Sequence, residues 1–298
     1  MLKSRGTNNA EESTISAYQK IVSTWDFQNP TSFSEDFAQK RFRKKMERPS
    51  VSSRNELHAQ AWETFLETDQ HLPVIHLPSS EWYQARALLH NWVRGNCERS
   101  PVDFPKGSSV IPTNGFNSIE FRLAGGPWTC TPENFDQFSR LVYNHKALKR
   151  AFRKRYTHWF LKQGFSISFK DSERILWEKV RDLKDPAWKA FLWKMSRVTT
   201  LVKGSRFSTV PKNNSARRPI NIEPFGNLLV QRRLGNFLRQ CLRNQGIDLD
   251  LLADVHRERI SDPAVATIDL KSASDSVSMS LVEFMFPRRI VNAINECR

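Results

Sequence analysis

The residues best suited to chemistry lie in the last third of the chain. In Val265–Ser280, VATIDLKSASDSVSMS, an apolar run delivers Asp269, and Asp275 follows six residues later among small polar residues. Four apolar or β-branched residues ending in an acid describe a buried strand whose last residue emerges at its carboxyl end, where α/β sites sit. A strand-end aspartate holds a divalent cation only when a second carboxylate arrives from elsewhere, because such sites need several oxygens held close together. Asp275-Ser276 reads as a turn or a helix start, and Asp275 serves equally well as a cap. A metal-dependent nuclease built on Asp269 and Asp275 is one chemistry the pair admits.

A second stretch, Gly204–Pro224 (GSRFSTVPKNNSARRPINIEP), has the pattern of a hairpin. Arg206–Val210 alternates like a half-buried strand, and Pro219–Ile222 looks like the returning one. Lys212, Arg217 and Arg218 fall in the polar connection. A guanidinium fork matches phosphate oxygens two at a time, so this group is a candidate triphosphate clamp. The bland alternative is a solvated basic loop. No GxxxxGK[ST] loop is present.

The elements that must position these residues belong to a strongly basic chain. Lys and Arg number 46 against 31 Asp and Glu, a formal charge of +15 over 298 residues. That balance favours a polyanionic partner. Hydrophobic residues make up 39% of the chain, enough to bury a core. No apolar run approaches the roughly 20 residues of a membrane span. The four cysteines are too widely spaced for a zinc knuckle or a CxxC pair, and no histidine cluster has metal-ligand spacing, so reduced thiols are expected. Residues 1–50 are polar, end in a basic run, and read as a basic extension bounded near Pro49.

Between extension and hairpin, helical patterns dominate. Thr131 with Pro132 predicts a helix start, and Phe135, Phe138, Leu141, Val142 and Leu148 recur at helical spacing. The later half of that helix is basic: Lys149, Arg150, Arg153, Lys154 and Arg155, interleaved with Phe152, Tyr156, Trp159 and Phe160. Cations late in a helix complement its dipole. The surplus suits either a solvated face or an RNA-tracking groove. Residues 173–198 predict two short amphipathic helices broken at Asp185-Pro186, with Trp177, Trp188 and Trp193 in the core. A further helix over roughly 227–244 puts Val230, Leu234, Phe237, Leu238, Cys241 and Leu242 on one face, with Arg232, Arg239 and Arg243 off it and Gly246 ending it.

TVPKNN (Thr209–Asn214), RPINIEP (Arg218–Pro224), GIDL (Gly246–Leu249) and ATIDLKSASDSVS (Ala266–Ser278), in this order, resemble the replicase β-subunit of levivirus-type RNA bacteriophages. The resemblance covers about residues 202–280, and the IDLxSASDS string is its most specific part. That family is an RNA-directed RNA polymerase. The resemblance implies an α+β chain with the right-hand polymerase fold. Residues 51–225 would be the fingers, largely helical with short strands, and 226–298 the first part of the palm, with the rest of the palm and the thumb absent.

Carried over by the same resemblance, Asp269 is the palm aspartate that binds catalytic Mg²⁺, with Mn²⁺ as the alternative ion, and the backbone of Leu270 faces the metal. Asp275, beside Ser276, helps recognise the incoming ribose. Lys212 and Arg218 lie over the triphosphate, with Arg217 a less typical neighbour. RNA template and ribonucleoside triphosphates are the implied ligands. Host translation elongation factors Tu and Ts and a ribosomal protein are the implied partners, in the cytoplasm of the bacterial host and away from membranes.

Two departures from the family pattern stand out. The usual Gly-Trp-Asn after the Glu-Pro is here Phe225-Gly226-Asn227. The family's Gly-Asp-Asp hairpin has no counterpart: the chain contains no Asp-Asp pair, and 29 residues follow Asp269. The expectation is the N-terminal part of a replicase that does not polymerise RNA by itself. A non-catalytic RNA-binding protein derived from the fingers is the alternative.

Overall fold

The computed structural model describes residues 51–72, 79–104, 119–124, 128–163, 178, 183–260, 262, 264–266, 268 and 273–298. They are mostly helical with a few short strands, an α+β arrangement as expected. They fall into two compact units, 51–63 with 209–219, and 64–208 with 220–298.

In chain order the helices are α1 (Val51–Gln70), α2 (Ser80–Trp92), α3 (Ile119–Ala124), α4 (Phe135–Asn144), α5 (Lys146–Gln163), α6 (Pro186–Val198), α7 (Phe225–Arg243), α8 (Leu252–Arg259), α9 (Met279–Met285) and α10 (Arg288–Glu296). The strands are β1 (Trp128–Cys130), β2 (Thr199–Leu201), β3 (Arg206–Asn213) and β4 (Ala216–Ile222). β1 and β2 pair in parallel, Trp128 opposite Thr199 and Cys130 opposite Leu201, and β3 pairs with β4.

The core of the larger unit is built on β1, buried at all three positions. Trp128, Phe138 and Phe225 meet there, with ring centroids 5.6 Å apart for Trp128–Phe138 and 6.0 Å for Trp128–Phe225. The first turn of α7 is tied to the strand by polar contacts. The amide of Phe225 donates to Thr129 Oγ1 at 3.0 Å, and Asn227 accepts from the Thr131 amide and donates to Thr131 Oγ1, both at 3.0 Å. Gly226 is required by this closeness: a Cβ there would lie 2.8 Å from the Phe138 ring and 2.9 Å from Cys130 Cβ. The Phe225-Gly226-Asn227 departure is therefore a core joint rather than an exposed loop.

Because Thr131 is committed to Asn227, it does not cap the following helix. The helix starts instead at Phe135, after Asn134. The single helix expected through Leu148 is two, separated by His145 in extended backbone (φ −94°, ψ 117°). Its imidazole Nδ1 accepts the Leu148 amide at 3.4 Å, so His145 caps α5. By contrast, Asp185 caps α6 in the ordinary way, accepting from the amides of Ala187 (2.9 Å) and Trp188 (3.2 Å), with Pro186 at the first helical position. Trp188 and Trp193 are half-buried, and Trp177 lies outside the described residues. α7 runs as expected, with Val230, Leu234, Phe237 and Cys241 buried and Arg232, Arg239 and Arg243 exposed. Gly246, at φ +79°, lets the chain turn after it.

Candidate functional site

The hairpin forms at the expected place but is longer. Lys212 belongs to β3, Arg217 and Arg218 belong to β4, and the connection is only Asn214-Ser215. The basic residues are thus held by strand backbone rather than by the turn. Lys212 and Arg218 are exposed and open to a ligand. Arg217 is half-buried and engaged: its Nε donates to Thr209 Oγ1 at 2.6 Å and a terminal nitrogen donates to the Thr209 carbonyl at 2.8 Å. Thr209 Oγ1 also lies 2.8 Å from His58 Nδ1. Arg217 is therefore a brace of the hairpin as much as a candidate phosphate contact.

The described residues around Asp269 do not show the expected buried strand. Asp269 and Leu270 lie outside the described residues. The flanking Val265 and Ile268 are 42% and 82% exposed, and no strand is assigned at 264–266 or 268. None of the described residues of this segment belongs to either described sheet. Asp275 sits in an exposed turn, where the Ser274 hydroxyl donates to its carboxylate at 3.2 Å. Asp275 is not a helix cap. That role belongs to Ser278, whose Oγ accepts the Leu281 amide at 3.2 Å at the start of α9, and Ser276 lies in the turn between them. Among the described residues no group of three or more His, Cys, Asp or Glu side chains converges in a metal-binding arrangement.

Upstream of Asp269, the GIDL stretch closes the end of α7. Asp248 accepts the Asp250 amide at 2.9 Å, which with Arg243 nearby holds its carboxyl below the usual range. Arg243 Nε lies 3.2 Å from Asp248 and Arg239 lies 3.0 Å from Asp250.

The third basic region, α5, contains seven Lys or Arg residues (Lys146, Lys149, Arg150, Arg153, Lys154, Arg155, Lys162) and no acid. Because α5 starts at Lys146, Lys146, Lys149 and Arg150 stand near its N-terminus. There the dipole disfavours cations, and only Lys162 gains from it. Like charges four apart, such as Arg150 and Lys154, cost about 0.2–0.5 kcal/mol each. The helix therefore does not explain its own charge.

The five residues expected at an RNA surface divide into three roles. Arg155 turns inward and caps α3: its Nε donates to the Leu123 carbonyl at 2.9 Å and a terminal nitrogen to the Arg122 carbonyl at 3.0 Å, with the guanidinium 5.0 Å from the Trp128 ring. Burial pushes its pKa down to about 10. Lys149 rests over the Tyr143 ring at 4.0 Å, and Arg153 is exposed outside the groove described next. Arg150 and Lys154 line a groove of about 870 Å³, with His158, Lys162, Trp159 and Arg197. His158 and Lys162 continue the spacing of four from Arg150, a signal present in the sequence. Arg197 joins from α6, buried against Trp193 (4.7 Å) and Trp159 (5.6 Å), and only the tertiary fold brings it there.

Comparison with known proteins bears on the segment holding the hairpin and the acids. Residues 169–298 match the family model described as RNA replicase, beta-chain. The chain is similar to the levivirus RNA replicase β-chains. It is 38% identical over 101 residues to the RNA-directed RNA polymerase beta chain of Escherichia phage MS2, covering 33% of this chain and 18% of that one. With the beta chain of Enterobacteria phage GA the identity is 39% over 100 residues, 33% of this chain and 19% of that one. With the RNA-directed RNA polymerase subunit beta of Escherichia virus Qbeta it is 38% over 95 residues, 30% and 16% respectively. The matched stretch thus spans under a fifth of these replicase chains. Lys212, Arg217, Arg218, Asp269 and Asp275 fall inside the family match; α5 falls outside it. No described helix is long and apolar enough to cross a membrane.

Proposed function

We propose that this chain takes part in template-directed ribonucleotide transfer during RNA-phage replication, in the cytoplasm of the bacterial host. The observation that carries this reading is the family match over residues 169–298, which takes in both the hairpin and the acidic segment. Residues 51–225 would act as fingers and 226–298 as the start of the palm, with 1–50 a basic extension. Lys212 and Arg218, exposed on adjacent strands, would hold the β- and γ-phosphates of the incoming nucleotide by charge-assisted hydrogen bonds. Arg217, braced against Thr209, would steady the hairpin beneath them. Asp275 and Ser276 would meet the ribose. Mg²⁺, or Mn²⁺ in its place, would be held by Asp269 and the Leu270 carbonyl, and when bound it would neutralise charge on the triphosphate. The described residues alone do not assemble a metal-binding set. Elongation factors Tu and Ts and a ribosomal protein are the partners this reading suggests.

The test is photocrosslinking of a labelled ribonucleoside triphosphate to the purified chain. Labelling should require Mg²⁺ and be lost in Asp269→Asn. Arg218→Ala should weaken it by roughly 10-fold or more, the loss of one charge-assisted contact of about 1.5–3 kcal/mol. Absence of nucleotide binding with RNA binding retained would favour the non-catalytic RNA-binding protein. Labelling untouched by both substitutions would overturn the site assignment.

A further inference from the structure

We propose that the groove along α5 is a binding site for single-stranded RNA, formed by Arg150, Lys154, His158 and Lys162 on one edge and by Trp159 and Arg197 within it. These α5 residues precede the family match, so the match assigns them nothing. The inference rests on the reading of an RNA-handling chain and adds a second contact region to it.

Three observations carry the proposal. First, the charge is one-sided: none of the residues lining the groove is acidic, and among the described residues Arg150, Lys154 and Lys162 have no ion-pair partner. A helix whose surface merely needs solvation alternates its charges, and this one does not. The dipole does not account for it either, since Arg150 stands in the N-terminal part of α5.

Second, the spacing is regular. Residues four apart advance about 6 Å along a helix, comparable with one phosphodiester repeat of an extended strand. Arg150, Lys154, His158 and Lys162 therefore form a row able to follow about four successive phosphates. A single strand can lie along such a row, whereas the two backbones of a duplex diverge from it.

Third, the groove offers aromatic and apolar surface beside the charge. Trp159 lines it with Ala147, Ala151 and Val198. Arg197 is buried against Trp159 and Trp193, which fixes its guanidinium plane. Basic rows beside aromatic faces are the common arrangement for single strands, because every base has a stacking face. An acidic peptide would use the cations but not the aromatic surface.

The experiment is fluorescence-anisotropy titration of the full chain with a labelled unstructured RNA oligonucleotide over a series of salt concentrations. The substitutions Arg150→Gln, Lys154→Gln and Lys162→Gln are combined, all at exposed positions, and a thermal melt checks that the fold persists. A second variant, Lys149→Gln with Arg153→Gln, removes charge from the same helix outside the groove. The groove variant should bind roughly tenfold or more weakly and lower the slope of log K against log salt by about 2, since each phosphate contact on a single strand contributes about 0.7. The second variant should leave slope and affinity close to the parent. Equal losses in both variants would reduce the effect to net charge and overturn the site. So would better competition by duplex RNA than by single strand, or by polyglutamate at equal charge, the last pointing to an acidic protein. Nucleotide labelling through Asp269 and Arg218 is read separately, so failure of either proposal is distinguishable from failure of the other.

Discussion

The first turn of α7 and the segment from Leu249 to Val277 lie about 20 residues apart in sequence and are built on opposite terms. At Phe225–Asn227 every residue is buried, the backbone of Gly226 is pressed against Phe138 and Cys130, and the Asn227 amide bonds to Thr131 and to the carbonyls of Cys297 and Arg298. Between Leu249 and Val277 the described Leu249, Leu251, Val255, Ile260, Val265, Ile268 and Val277 are exposed, and Leu252 is half-buried. The second region carries the IDLxSASDS string, and the first departs from the tripeptide that the resemblance leads one to expect. Recognisability follows from chemistry that few residues perform. Burial follows from the apolar area that neighbours can cover. The two need not coincide.

The largest expected effect that would test this contrast is Gly226→Ala. The added methyl has nowhere to go, because ring and Cβ atoms already lie under 3 Å from where it would sit. Overpacking of this kind costs about 1–3 kcal/mol or more. A urea titration should show a clearly lower midpoint, and an unchanged midpoint would mean that the joint is looser than described.

A smaller effect is expected at Glu223, just before the same joint. One of its carboxylate oxygens is buried without a hydrogen-bond partner, and burial raises its pKa, offset in part by a hydrogen bond from Gln231. The folded state therefore binds the proton more tightly than the unfolded chain. Stability from this group is present below the unfolded carboxyl's pKa and is lost as pH rises through the raised one. Glu223→Gln should stabilise the protein by about 0.5–1 kcal/mol at pH 7, comparable with one ordinary hydrogen bond. That gain should vanish in melts taken at pH values below the carboxylate range. A gain that stayed constant with pH would assign the effect to packing instead.

The smallest effect is expected at Ile268→Ser. An isoleucine 82% exposed has little burial to lose, and substitutions at such positions stay within about 0.5 kcal/mol. A loss matching that of Gly226→Ala, measured in the same titration, would show that the segment is packed after all and would collapse the comparison.

Much of this was legible beforehand. Asp185-Pro186 marks a helix break because proline cannot continue a helix, and the structure adds that Asp185 caps the one that follows. The hairpin was legible from alternation, and the end of α7 from Gly246. The division of α4 from α5 was not, because His145 is an unusual cap and its role depends on the Leu148 amide reaching its Nδ1. Lys149, Arg150, Arg153, Lys154 and Arg155 are indistinguishable as a run of letters. Their fates differ through tertiary surroundings: Arg155 meets carbonyls more than 30 residues away, and Arg150 and Lys154 share a groove with Arg197.

What the sequence determined by itself is local or compositional: the net positive charge, the helix and strand periods, the break at Asp185-Pro186, the helix end at Gly246, and the order of motifs shared with RNA replicase β-chains. These depend on residue chemistry and on neighbours a few positions away. The tertiary structure alone decided that Arg155 closes the end of α3, that Arg197 joins a groove with Lys154, and that Asn227 is claimed by Thr131. Each of those outcomes turns on which orphaned carbonyl, ring or amide the fold brings within hydrogen-bonding reach, and separation along the chain carries no record of that.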